Sequence, residues 1–138
     1  TGFLRVARAF VPGLAARKKG HIVHLGSLAG HGVYEGGSVY CATKHAVRAV
    51  SQTLRLELSG TNVRLTEIAP GSVETEFSVV RMGDEQKAKA VYQGYEPLVA
   101  DDIADCVLWA CTRPAHVNIG EIVLTPVAQG GLTKFHRV

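Results

Sequence analysis

Tyr40 and Lys44 stand four residues apart, and Ser27 lies thirteen residues before Tyr40, where an apolar run opens into a glycine-rich loop. On a helix, positions i and i+4 share a face, so the Lys44 ammonium comes to lie beside the Tyr40 phenol. A neighbouring positive charge favours the phenolate. A phenol tuned in that way can pass a proton to or from an oxygen, which is general acid–base chemistry for interconverting a carbonyl and an alcohol. Ser27 adds a hydroxyl able to hold the same oxygen.

Alone, the pair carries little weight, because a solvated helix lysine beside a half-buried tyrosine is the commoner arrangement. Its setting adds to it. His21-Ile22-Val23-His24-Leu25-Gly26-Ser27 reads as a strand running into Leu28-Ala29-Gly30-His31-Gly32, with Gly36-Gly37 just before the helix. The C-terminal ends of strands are where open α/β sheets bind ligands.

The elements that must position these residues follow from periodicity. Phe3, Ala7, Phe10 and Leu14 recur at helical spacing and predict a helix from residue 1 to about 18, bent or nearing its end at Pro12 and stopped by Gly20. Residues 21–26 form a strand apolar enough to be buried on both faces. Val39, Ala46, Val47, Val50, Leu54 and Leu58 make one stripe of a helix from Ser38 to about Ser59, with Ser38 as its N-cap and Gly60 as its terminator. Tyr40 and Lys44 border that stripe. A strand over 62–69 is stopped by Pro70-Gly71, and a loop with Val73, Thr75 and Phe77 follows.

Glu85 to about Tyr92 predicts a polar helix with few core anchors, hence a mobile one. Ile103, Val107, Leu108, Ala110 and Cys111 mark a further helix, with Asp101 and Asp102 in its first turn and Val99 where a side-chain cap is expected. Residues 121–125 are a last strand. Helices between strands imply right-handed crossovers and a parallel sheet. The fold class is therefore α/β, and three strands with three or four helices make a thin unit of it.

Composition agrees. The chain has 138 residues, 46% hydrophobic and 20% charged with 15 Gly, as a globular α/β protein would. The net charge of +3 is scattered; the one basic run, Arg17-Lys18-Lys19, suits a helix C-terminus better than a nucleic-acid patch. No apolar run reaches the roughly 20 residues that span a bilayer, and no signal peptide is visible. Cys41, Cys106 and Cys111, odd in number and within predicted helices, read as reduced core or near-core residues of a cytoplasmic protein. Cys and His spacing gives no zinc pattern, so no metal is expected. Thr1 is not a start methionine, and the chain is expected to begin partway through a longer protein.

Gly26-Ser27-Leu28-Ala29-Gly30, Tyr40-Cys41-Ala42-Thr43-Lys44-His45-Ala46-Val47 and Pro70-Gly71-Ser72-Val73-Glu74-Thr75 form an ordered set that resembles the C-terminal half of the short-chain dehydrogenase/reductase family. Residues Ile68 to Arg81, Pro97 to Ala104, and Pro114-Ala115-His116-Val117-Asn118-Ile119 resemble its NADP-dependent 3-hydroxy acid dehydrogenases, the branch that oxidises serine and L-allo-threonine or reduces malonic semialdehyde. The resemblance implies a Rossmann-like three-layer parallel sheet, of which residues 1–138 are the C-terminal catalytic portion of a single domain. It implies that Tyr40 moves the proton, that Lys44 supports Tyr40 and holds the nicotinamide ribose, and that Ser27 binds the substrate oxygen. It also implies that Pro70, Gly71, Val73 and Thr75 pack on NADP, with NAD the alternative, and that the whole protein is a homo-oligomer, a dimer or tetramer, through the first helix and the Tyr40 helix.

Departures accompany it. The family's phosphate-binding glycine loop and the residue that selects NAD or NADP have no counterpart here, and the Asn of its catalytic tetrad would fall just before Thr1. A non-catalytic module of the same family is the competing reading, opposed by the intact Ser27, Tyr40 and Lys44. Other residues have blander roles. His24, His31 and His45 read as structural rather than as a proton relay, Glu74 and Glu76 as solvated, and Trp109 as packing. Arg81 could meet the carboxylate of a hydroxy acid or form a surface ion pair. Residues 1–138 expressed by themselves are expected to show no NADP-dependent turnover in a spectrophotometric assay; measurable dehydrogenase activity would contradict this.

Overall fold

The computed structural model describes residues 1–138. In chain order the elements are α1 (Gly2–Arg17), β1 (Gly20–Leu25), a 3₁₀ turn (Leu28–Gly30), α2 (Ser38–Glu57), β2 (Val63–Pro70), α3 (Glu76–Met82), α4 (Glu85–Val91), α5 (Ala100–Cys111) and β3 (Glu121–Leu124). The three strands are parallel, in the order β1-β2-β3. This is the parallel α/β arrangement expected from helices alternating with strands, and it is Rossmann-like. No helix is long and apolar enough to cross a membrane.

Side chains alternate across the sheet, and register sorts them. Ile22 lies beside Leu65 and His24 beside Glu67 on one face, while His21 lies beside Arg64 and Leu25 beside Ile68 on the other. On the first face Leu58, Val63 and Leu65 form the core, packed by Val11, Leu14 and Ala15 of α1, Ile22 of β1 and Leu54 of α2. On the second face the Arg64 guanidinium donates to the carbonyls of Ala110 (3.3 Å), Cys111 (3.0 Å), Arg113 (3.1 Å) and Val117 (3.4 Å). These carbonyls lie at and just beyond the C-terminal end of α5, where helical carbonyls lack partners and the dipole is negative. A single cation therefore fixes the end of α5 to the central strand.

Several expectations need correction. The most buried strand is β2, with Val63 and Leu65 to Ala69 buried and only Arg64 and Pro70 partly exposed. In β1 only His24 is buried and Leu25 is 59% exposed, because β1 pairs on one edge only. The loop after Pro70 contains α3, a seven-residue helix capped by Thr75 Oγ1 accepting from the Phe77 N–H and ended by Gly83 at φ 64°. The N-cap of α2 is Gly37, acting through its backbone, and Ser38 is already helical. Lys18, at φ 52°, ends α1 before Gly20. Cys111 is exposed, unlike the buried Cys41. Val99 caps α5 without a side chain, but Asp102 Oδ2 accepts from the Val99 N–H at 2.8 Å, so the backbone there is not left unpaired.

His24 and Glu67 are both buried titratable groups. Ser51 directs its own proton to the Val47 carbonyl (2.8 Å), so His24 Nδ1–H donates to Ser51 Oγ (2.8 Å), and the Phe3 ring meets the imidazole edge-on at 4.6 Å. Burial lowers the His24 pKa below the usual 6.5. The folded protein thus holds this proton less tightly than the unfolded chain. The contribution to stability is complete above about pH 6.5 and is lost as pH falls through the lowered folded-state value. Glu67, with its carboxyl raised above 4.5 by burial and by Glu121, runs the opposite way and loses its contribution as pH rises. Urea unfolding of wild type and His24→Asn separates the two. The stability gap between them is expected to narrow on acidification below about pH 6.5; a gap independent of pH would contradict the burial of a neutral imidazole.

Candidate active site

The site is built where β1 leaves the sheet. Gly26 N–H still donates to the Ile68 carbonyl (2.7 Å), and the chain then turns away. Ser27 is extended (φ −172°) and caps the 3₁₀ turn, its Oγ accepting from the Ala29 N–H at 3.1 Å. Two glycines allow the close approach of loop, strand and helix. A Cβ at Gly26 would fall on the Glu67 carboxylate, and one at Gly30 would come within 3.0 Å of the Lys44 carbonyl oxygen. Ser27 is consequently held between β2 and α2.

α2 opens with the Cys41 N–H on the Gly37 carbonyl (2.7 Å), which places Tyr40 in its first turn and Lys44 one turn on. Lys44 Nζ donates to the carbonyls of Gly26 (3.0 Å) and Leu25 (3.2 Å) and lies 5.7 Å from the centre of the Tyr40 ring. Desolvation lowers the Lys44 pKa, and the Glu67 carboxylate opposes that shift. An ammonium has three donors; two are used here, and the third is unassigned by the protein. Glu67 lies behind this arrangement. It is 1% exposed, its Oε1 has no hydrogen-bond partner, and it sits beside Glu121 across the sheet.

The opposite wall is the segment after β2. Gly71 N–H donates to the Leu124 carbonyl (2.8 Å), and Gln129 Oε1 accepts from the Ser72 N–H (2.8 Å). Any Cβ at Gly71 would strike Gln129 and Thr125. Ser72 and Glu74 exchange backbone bonds with Leu98 (3.1 and 2.8 Å). Tyr92 Oη donates to the Val73 carbonyl (2.9 Å), and Tyr95 Oη meets Ser72 Oγ at 2.8 Å. These contacts fix the segment to the rest of the fold. From α3, Phe77 packs against Tyr40 with ring centres 5.7 Å apart.

Between the walls is a cavity of about 730 Å³. Ser27, Tyr40 and Lys44 line one side, and Pro70, Gly71, Val73 and Thr75 the other, so all seven candidate site residues share it. The three histidines do not. His24 is in the core, His31 Nε2 lies 2.8 Å from Glu121 Oε1, and His45 Nδ1 is on the Cys41 carbonyl at 2.9 Å. Tyr34, Phe77, Tyr92 and Gln129 also line the cavity. Nothing in their spacing announces this, because they reach the site through tertiary contacts; only Phe77, four residues before Arg81, carries a helical signal.

Comparison with known proteins places the chain. The family described as short chain dehydrogenase matches residues 1–86. An uncharacterized oxidoreductase of Mycobacterium tuberculosis is 52% identical over 96% of this chain and 53% of its own length. The NADP-dependent 3-hydroxy acid dehydrogenase of Schizosaccharomyces pombe is 45% identical over 99% of this chain and 53% of its own. The closed form of serine dehydrogenase complexed with NADP+ superposes with a TM-score of 0.90 at 46% identity, over 99% of this chain and 56% of that one. The chain thus spans about half the length of the curated relatives it matches. The matched segment holds the serine turn, the Tyr40–Lys44 helix and the wall after β2, and the chain belongs to the short chain dehydrogenase family.

Proposed function

We propose that residues 1–138 are the catalytic half of an NADP-dependent oxidoreductase that moves a hydride between the cofactor and the alcohol or carbonyl carbon of a small 3-hydroxy acid, such as serine or L-allo-threonine. The observation that carries this reading is Lys44, held by the Leu25 and Gly26 carbonyls beside Tyr40 on a cavity shared with Ser27. The names of the S. pombe relative and of the serine dehydrogenase structure support the cofactor and the substrate class.

The residues present fit the nicotinamide end of such a cofactor. The free third N–H of Lys44 suits a ribose hydroxyl. Ser27 Oγ and Thr75 Oγ1 each accept one bond from the protein, which leaves both hydroxyl protons free to donate into the cavity. When bound, the cofactor takes or gives the hydride. Tyr40 delivers the proton to the carbonyl oxygen, or removes it from the alcohol. The Lys44 ammonium stabilises the negative charge that develops on the phenol oxygen, acting in a partly desolvated place where charge is weakly screened. Ser27 donates to the same substrate oxygen. Backbone groups of Pro70, Gly71 and Val73 and the hydroxyl of Thr75 would hold the nicotinamide, and Phe77 would keep water from Tyr40.

The same proposal includes a homo-oligomer, a dimer or tetramer. It is supported by Leu4, Val6 and Phe10 of α1 and Val39 and Leu56 of α2, all exposed apolar side chains. The free thiols of Cys41, Cys106 and Cys111 support a reducing, cytoplasmic location. A panel of 3-hydroxy acids with NADP and NAD, assayed on the full-length protein, tests the activity. Tyr40→Phe is expected to lower kcat by about 10²- to 10⁴-fold, the worth of a positioned proton donor, while the variant unfolds at the same temperature. Turnover close to wild type in Tyr40→Phe would remove Tyr40 from the reaction.

A further inference from the structure

Lys44 and Arg81 are the only charged side chains on the cavity wall, and no carboxylate lines it. The cavity is therefore an electropositive one. Lys44 is occupied by two carbonyls at the end of β1, but Arg81 is not engaged in any such way. Its guanidinium carbon lies 6.0 Å from the centre of the Tyr40 ring and 5.7 Å from that of Tyr34, and it forms neither an ion pair nor a hydrogen bond. The carboxylate contacts of the basic side chains are those of His31 and Arg48 with Glu121, and Arg81 has none. Arg55, Arg64, Arg113 and Arg137 each donate to at least one backbone carbonyl. Arg81 stands apart from them.

We infer that Arg81 recognises the carboxylate of the substrate and so sets the specificity of the site for hydroxy acids over neutral alcohols. This rests on the proposed function and adds to it the residue that selects the substrate class. A guanidinium presents a planar fork of N–H donors that matches a carboxylate bidentately. Arg81 is in the last turn of α3, one helical turn after Phe77. Phe77 packs on Tyr40, so the pair shares the face of α3 turned to Tyr40. The start of that helix is fixed by the Thr75 cap. The guanidinium carbon is 6.0 Å from the centre of the Tyr40 ring, and both side chains line the same cavity, so one small substrate can meet both. The Tyr34 and Tyr40 rings flank the guanidinium at cation–π distance.

A cofactor phosphate is the other anion this arginine could meet, and the test separates the two. On the full-length protein, kcat/KM is measured for 3-hydroxypropanoate and its neutral twin 3-hydroxypropanamide, with the KM for NADP, in wild type, Arg81→Lys and Arg81→Met. Wild type should prefer the acid. Arg81→Met should cut that preference by about 10- to 100-fold, the range of a charge-assisted hydrogen bond. The loss should appear mainly in the KM of the acid, with part of it recovered in Arg81→Lys and the KM for NADP unmoved. Thermal unfolding of Arg81→Met should match wild type, because the side chain is exposed. Three results would overturn the inference: an acid-to-amide ratio within about twofold of wild type in Arg81→Met, a rise confined to the KM for NADP, or a wild type indifferent to the charge. The last of these would leave the proposed function standing. Absence of turnover with either compound, across the whole panel and both nucleotides, would remove the proposed function itself and the role of Arg81 with it.

Discussion

The contact on which the rest of the site depends is the Lys44 ammonium held by the last carbonyls of β1. A parallel strand that ends in a turn leaves carbonyl groups without ladder partners, and an unpaired buried carbonyl is costly. The lysine satisfies two of them at once. In doing so it ties the first turns of α2 to the end of the sheet and sets the position of Tyr40. Ser27 follows from the same junction, since it is the residue after the second carbonyl. Gly26 and Gly30 make the junction close enough to work, because Cβ atoms there would meet Glu67 and the Lys44 backbone. Sheet end, serine turn and helix start are thus one mechanical unit.

The junction carries an electrostatic tension. Lys44 is partly desolvated, which disfavours its charge, and Glu67 in the adjacent strand opposes that. Glu67 is itself buried beside Glu121, so its carboxyl is raised by burial and by that neighbour. A chain selected for stability alone would gain from an apolar residue at Glu67. Instead the buried Glu67 carboxyl lies close enough to the partly desolvated Lys44 ammonium to favour its charge at this junction. The opposite wall has no such tension, being fixed by neutral bonds from Tyr92, Tyr95 and Gln129.

Long amphipathic stripes and short apolar runs made the main elements legible in the amino-acid order. The stripe from Val39 to Leu58 and the run before Ser27 led to α2 and β1 within a residue or two. Those two elements carry Ser27, Tyr40 and Lys44, which is why the first wall was readable. The second wall was readable only as Pro-Gly punctuation. Its supports come from residues 20 to 60 positions away, and no local spacing signals them. α3 was hidden because seven residues with Val79 and Val80 at the centre look as much like a strand as a helix. The exposure of β1 depends on how many strands flank it, a tertiary fact that its own apolar residues cannot express. Arg81 was visible as a residue, but its freedom from partners appeared only with the fold.

The central claim is that an ammonium fixed at the end of β1 supports Tyr40 in catalysis. Steady-state kinetics of Lys44→Met in the full-length protein tests it most directly. The account predicts a fall in kcat of about 10²- to 10³-fold, the cost of losing one preorganised charge at a reacting oxygen. A variant that turns over within about threefold of wild type would contradict it.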